Sequence, residues 1–342
     1  MKVYRAKGLQ PYNTLALQAQ ADAFACVTND TELLQALAWA RANGFCVVPL
    51  GEGSNVVLAG DLHALVVRQA ARGIEVLEMS SSHAVLRVAA GENWHELVQW
   101  TLHKGYYGLE NLALIPGTVG ASPIQNIGAY GVELQSVLLQ VHAIQIVDDK
   151  KVTLDNAACE FSYRDSIFKR QLKDQVIITA IDIKLSRRPS VDIRYPALAD
   201  FFVEHPHIEL TPQAVFDAVV AVRSSKLPDP SIEPNAGSFF KNPLLRPETV
   251  QRLLKAYPQL PCFTQIDGSI KVSAAWMIDH CGWKGVRRHD LGVHPKHALV
   301  LVNYGSDSGA QLLALSSEVV SSVHDAFGVE LEIEPRIYGL NP

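Results

Sequence analysis

Twenty-two consecutive residues, Asn111 to Val132, carry no charged side chain. The run holds Gly117, Gly120, Gly128 and Gly131 together with Pro116 and Pro123. So apolar a stretch belongs inside a domain, yet its glycines and prolines break the periods of both helix and strand. It therefore predicts a long, buried, irregular loop. Loops of that length inside a compact domain are uncommon and usually serve a ligand. Two readings stand: backbone donors and small side chains wrapped around a large, partly anionic ligand, or a glycine-rich crossover of the core.

A second glycine stretch, Gly51-Glu-Gly-Ser-Asn55, joins two apolar runs that read as strands, Cys46 to Leu50 and Val56 to Ala59. No helix follows it, so it is neither the dinucleotide fingerprint nor the phosphate loop that ends in Lys-Ser/Thr. It is a plain tight turn or a nest of N–H groups for an anion. Two such stretches in one mixed region suggest a ligand with a diphosphate, such as a dinucleotide.

Around them the pattern is mixed. Asn29 with Glu32 resembles a capping box opening a helix over 30–42, and a second helix fits 93–103, ended by Gly105. Further strands fit 64–67, 84–89 and 176–185, and 137–147 with 152–154 forms a hairpin. After Arg187-Arg-Pro189 helical patterns dominate, at 212–224, 247–256, 273–280 and 309–327. This predicts an α+β chain with a domain boundary near 188. Val329 to Tyr338 alternates apolar and charged residues, a strand whose wet face carries Glu330, Glu332 and Glu334.

Composition narrows the partners. Acidic residues outnumber basic ones 35 to 30 across 342 residues, so no overall field attracts nucleic acid or an anionic membrane, and any phosphate must be caught locally. No stretch approaches the ~18 apolar residues of a membrane span, and no signal-peptide pattern opens the chain, so a cytoplasmic protein is expected. Five cysteines without a Cys-x-x-Cys pair read as buried free thiols, and the histidines lack metal-ligand spacing, so no metal is expected. Taken singly, Arg164-Asp165 reads as an ion pair and Ser238 as a turn residue outside any nucleophile elbow.

Together, several stretches resemble one family. They are Leu50 to Val56, Gly91-Glu-Asn-Trp94, Gly108 to Leu112, Ile115 to Gly131, Tyr163 to Lys169, Lys226-Leu-Pro-Asp-Pro230, Asn235 to Pro243 and Glu334, in order over nearly the whole chain. They resemble UDP-N-acetylenolpyruvoylglucosamine reductase, in the subtype whose Tyr-bearing loop closes over substrate. The resemblance implies an FAD-binding domain of the vanillyl-alcohol oxidase (PCMH) type in two subdomains, at 1–188. An α+β substrate domain follows at 189–342, its terminal strand returning to the active site. It implies a monomer in which NADPH reduces FAD and the flavin reduces the enolpyruvyl ether. Arg164 and Glu334 would flank the substrate carboxylate and Ser238 would protonate carbon. Tyr130, Tyr195, Lys226 and Asn242 would hold the substrate. FAD would lie on Gly51, Gly53, Ser54, Asn55, Gly117, Gly120, Ala121, Ser122, Ile124, Gly128 and Arg336. Pro196, Pro234 and Pro335 depart from the family's common pattern. An oxidase on the same flavin fold and a flavin-free sugar-nucleotide sensor are the competing classes.

Overall fold

The computed structural model describes residues 1–265 and 267–340; residue 266 and the last two residues of the second expected domain, 341–342, lie outside them. The chain divides into two compact units, interleaved in sequence. The first takes 1–7, 21–52 and 62–225, the second 8–20, 53–61 and the residues from 226 onward.

Among the described residues the first unit contains two larger sheets and one short two-stranded hairpin. One orders Val3–Gly8, Gln20–Val27, Leu62–Gln69 and Cys46–Leu50, the last three running parallel. Parallel neighbours need a crossover, and helix α1, Asp30–Ala42, supplies part of it. Its Leu33, Ala36, Leu37 and Ala40 pack with Ala23, Ala25, Val27, Leu65 and Val67. The Asn29 side chain accepts the Glu32 N–H at 2.9 Å, while the Glu32 carboxylate takes the Thr28 N–H, one residue before the expected partner of the capping box.

The other sheet is antiparallel, in the order Lys151–Asp155, Leu138–Gln145, Val176–Ser186, His83–Ala89, Ile74–Met79. Helix α2, Trp94–His103, and the charge-free segment share its core through Trp94, Leu97, Leu112 and Val119. Helices α3, Pro196–Glu204, and α4, Pro212–Lys226, follow. Leu198, Val215, Phe216 and Val219 bury their apolar faces in that same core, so residues 189–225 pack with the first unit.

The second unit carries the antiparallel sheet Asn235–Ser238, Val300–Asn303, Leu291–Val293, Arg287–Arg288. Helices α5, Pro247–Ala256, α6, Ala274–His280, and α7, Gly309–Phe327, complete it. Among the described residues, the strand expected over 329–338 forms a ladder only at Arg336–Tyr338, parallel to Val56–Leu58, with an isolated bridge at Ile333. Pro335 has no N–H to continue the ladder. The alternation of burial survives: Val329 and Leu331 are inside, Glu330 and Glu332 outside.

All five cysteines are free, but only Cys159 is buried, and burial pushes its thiol up to about 12. Cys46 is exposed because it opens the edge strand of its sheet. Among the described residues no helix is long and apolar enough to cross a membrane, and no cluster of His, Cys, Asp or Glu could hold a metal ion.

Candidate active site

The charge-free segment is buried and irregular, and most of its backbone is spent on itself. Residues 117–120 run alongside 90–94: Trp94 N–H donates to Gly117, Val119 to Glu92 and Gly120 to Ala90, at 2.8–3.0 Å. A Cβ on Gly120 would stand 2.6 Å from the Ala90 Cβ, so only glycine allows this approach. The Ser122 hydroxyl donates to the Val119 carbonyl at 2.6 Å, and the Ile124 carbonyl accepts from Ser166. The amides of Gly117 and Thr118 make no hydrogen bond among the described residues, and Ala121 is exposed between neutral walls. Gly51 presses on Thr118: a Cβ there would lie 2.5 Å from Oγ1. Asn93 donates to the Glu52 carboxylate, which holds the start of the 51–55 turn. In the second unit, Gly53 has φ +67°, its carbonyl accepts the Thr14 N–H, and Asn55 accepts the Arg336 N–H at 3.0 Å. Ser54 follows Gly53 in this turn.

Where the segment leaves the core it makes a hairpin that no turn signal in the sequence announces. Gly128–Ala129 pairs with Val132–Glu133, leaving Tyr130 and Gly131 as a two-residue turn with φ of +49° and +84°. Positive φ at both centres is the type I′ hairpin, which favours Asn-Gly, so Tyr130 is held in a conformation its side chain disfavours. Asn111 braces it, donating to the Tyr130 and Asp192 carbonyls at 3.0 and 2.8 Å. The Tyr130 ring meets Tyr195 edge-on at 5.2 Å, and burial pushes its hydroxyl above the ordinary tyrosine range. Tyr195 is 44% exposed and caps α3, whose first residue is Pro196. Proline suits that position, since its missing N–H would be unpaired there anyway.

Arg164 occupies a second strained turn. Ser162 and Asp165 exchange backbone hydrogen bonds at 3.1 and 3.2 Å around Tyr163-Arg164, with Arg164 at φ +54°, where type II turns prefer glycine. Such conformations cost roughly 1–3 kcal/mol and cluster at functional sites. The expected Arg164–Asp165 pair is broken up: Asp165 pairs with Arg170, and Arg164 donates to the Gly128 carbonyl at 2.7 Å.

In the second unit Ser238 follows a bulge. Asn235 opposes Val302 and Ser238 opposes Val300, so the strand carries one extra residue, with Gly237 at φ +69°. The Asn235 side chain accepts the Gly237 N–H at 2.8 Å and donates to the Glu233 carbonyl, fixing the bulge that presents Ser238. The Ser238 hydroxyl has no hydrogen bond among the described residues. Phe240 bridges Ile333, and the Glu334 N–H donates to the Phe239 carbonyl at 2.9 Å, placing Glu334 beside the residue after Ser238. Pro234 lends its carbonyl to Asn303. Asn242 accepts the first N–H of α6 through Oδ1, leaving its NH2 unspent among the described residues. Lys226 ends α4, exposed and without an ion pair among the described residues. The structure thus groups Arg164, Gly128, Tyr130 and Tyr195 in the first unit, and Ser238 with Glu334 in the second.

Residues 21–153 match the FAD binding domain family, and residues 229–338 the C-terminal domain of UDP-N-acetylenolpyruvoylglucosamine reductase. The reductase of that name from Chromobacterium violaceum is 47% identical over 335 residues, covering 96% of this chain and 97% of that one. The chain belongs to the UDP-N-acetylenolpyruvoylglucosamine reductase family. The reductase from Pseudomonas putida is 44% identical over 330 residues, covering 96% of this chain and 97% of its own. A solved reductase of this family, from Thermus caldophilus, superimposes with a TM-score of 0.68 at 23% identity over 99% of this chain and 98% of that one, which establishes a shared fold. An FAD fits what the first unit offers: a charge-free wall, small exposed Ala121 and two unspent amides at Gly117 and Thr118, the donors a diphosphate takes.

One residue beside Tyr130 has no signal in the sequence. Arg223 stands on α4 with its Nε sealed from water and unpartnered. An arginine near a helix end reads as solvated surface, and only its burial distinguishes it.

Proposed function

We propose that this chain catalyses the NADPH-dependent reduction of UDP-N-acetylglucosamine enolpyruvate to UDP-N-acetylmuramate, a step of peptidoglycan precursor synthesis, as a cytoplasmic monomer. The observation that carries the reading is 44–47% identity to reductases of that name over 96% of the chain. Bound FAD supplies the hydride relay between NADPH and the terminal enolpyruvyl carbon. It rests on Gly51, Gly53, Ser54, Asn55, Gly117, Gly120, Ala121, Ser122, Ile124, Gly128 and Arg336. Residues 1–188 are the flavin-binding part and residues 189–342 the substrate part.

Reduction places excess charge on the carbon beside the carboxylate, so the site must supply positive charge, donors and a proton. Arg164 holds the carboxylate through its planar fork. It suits the task because Asp165 is already satisfied by Arg170, and the Nη2 of Arg164 donates to a neutral carbonyl, that of Gly128. Ser238 gives the proton to carbon: its hydroxyl is uncommitted among the described residues and the Gly237 bulge sets its direction. Glu334 acts as a neutral donor at the developing charge, since an ionised carboxylate would repel it. Tyr130, Tyr195, Lys226 and Asn242 hold the UDP-sugar. Flavin absorbance, followed first with NADPH and then with the enolpyruvyl substrate, tests the reading. Loss of flavin colour with NADPH and its return on adding substrate are expected; no return overturns it.

A further inference from the structure

The guanidinium of Arg223 makes no hydrogen bond and no ion pair among the described residues, and its Nε is shut off from water while its terminal nitrogens keep solvent access. Arginine stays charged in proteins, and a buried charge without an acceptor is rare because desolvation goes uncompensated. Tyr130, Arg164 and His95 interact with it electrostatically, and none of the three is a carboxylate. His95 stacks on Phe216 at 5.5 Å and accepts the Leu114 N–H through Nδ1, and burial with Arg223 nearby holds its pKa below the ordinary range. Two arginines therefore lie close enough to repel each other, beside the Tyr130 hairpin, and among the described residues no carboxylate pairs with Arg223.

We propose that Arg223 is a second substrate residue, gripping with Arg164 the carboxylate of the enolpyruvyl group. The inference rests on the function proposed above. A carboxylate offers about four lone pairs and can accept from two guanidiniums at once. Its conjugated system gains a second negative charge as the substrate is reduced, so a second fixed cation helps most when charge develops. Without substrate the two cations are a liability, as pre-formed sites often are.

The test compares the FAD-loaded parent with Arg223→Met and Arg223→Lys. Two ligands are titrated by flavin absorbance: the enolpyruvyl UDP-sugar, and the same UDP-sugar lacking the enolpyruvyl group. The Met variant should bind the first about 10- to 100-fold more weakly. It should bind the second as the parent does and melt at or above the parent's temperature. The Lys variant, charged but without the fork, should recover part of the loss, and it carries the comparison should the Met variant not fold. Equal weakening for both ligands overturns the carboxylate assignment in favour of a phosphate contact. Unchanged binding of both removes Arg223 from the site. A parent that binds the enolpyruvyl ligand but never re-oxidises with it overturns the proposed function, and this inference falls with it.

Discussion

Arg164 donates through Nη2 to the carbonyl of Gly128 at 2.7 Å, tying the strained Tyr163-Arg164 turn to the strained Tyr130-Gly131 hairpin. A Cβ on Gly128 would stand 2.8 Å from the Glu133 side chain and 3.2 Å from Arg164 Nη1. Glycine at 128 therefore sets where the guanidinium lies. Gly128→Ala should slow flavin re-oxidation by substrate about 10- to 100-fold, the scale of small misplacements of a catalytic group. Reduction by NADPH should hold its rate. Equal rates of re-oxidation in parent and variant would show that the glycine does not position Arg164.

Ser238 divides the two half-reactions. Reduction of the flavin by NADPH needs no proton on carbon, so Ser238→Ala should keep that rate. Re-oxidation by substrate should slow by about 10²- to 10⁴-fold, the usual worth of a positioned proton donor. Stopped-flow flavin absorbance follows both. Equal slowing of the two would make Ser238 a structural residue, and normal turnover would assign the proton to another donor.

Lys226 is exposed and carries no ion pair among the described residues, which leaves its charge available to a diphosphate. Lys226→Ala should weaken UDP-sugar binding by about one to two decades, the loss of one charged hydrogen bond. Flavin reduction should be little changed. Unaltered UDP-sugar affinity removes it from the site.

The protein should purify yellow, with roughly one FAD per chain, since the charge-free loop keeps the Gly117 and Thr118 amides unspent among the described residues, beside neutral walls. Gly120→Ala forces a Cβ to within 2.6 Å of the Ala90 Cβ and should push residues 117–120 off residues 90–94. The variant should show a lower ratio of flavin to protein absorbance. Full flavin content would separate this packing from cofactor binding.

On the antiparallel sheet of the first unit, the buried Asp182 accepts two bonds from Arg87, each 2.8 Å, and one contact from His142 at 2.9 Å. Burial alone would raise its pKa; Arg87 and His142 outweigh burial and hold it below the ordinary aspartate value. A lowered folded pKa means stability present above the unfolded value and lost as pH falls through the folded one. Asp182→Asn should therefore cost roughly 1.5 kcal/mol at neutral pH, the low end for charged hydrogen bonds because Arg87 is 41% exposed. The melting-temperature gap between parent and variant should narrow below about pH 4. A gap that persists unchanged to pH 2 would mean that ionisation of Asp182 is not its source.

Helices that carry their own start and stop signals are legible in the amino-acid sequence alone. The spans 30–42, 247–256 and 309–327 coincide with α1, α5 and α7. Capping, first-turn proline and apolar spacing are local properties, complete within a dozen residues. The buried, irregular character of 111–132 is legible too, because absence of charge and excess of glycine constrain a chain whatever surrounds it. The identity of the family lies in the order of motifs such as those from Ile115 to Gly131 and from Asn235 to Pro243.

Tertiary contacts decided what these motifs do. Whether Arg164 pairs with Asp165 depended on Arg170 arriving from five residues beyond, and on a carbonyl 36 residues earlier. The hairpin at Tyr130 is hidden because a tyrosine stands where Asn is the usual signal. Residues 189–225 pack with the first unit because α3 and α4 find an apolar face on the antiparallel sheet, a partner no local pattern names. Arg223 shows the limit most plainly. Its charge is written in the sequence, but its lack of a partner among the described residues is a property of everything around it, and burial and pairing are decided only when distant segments meet.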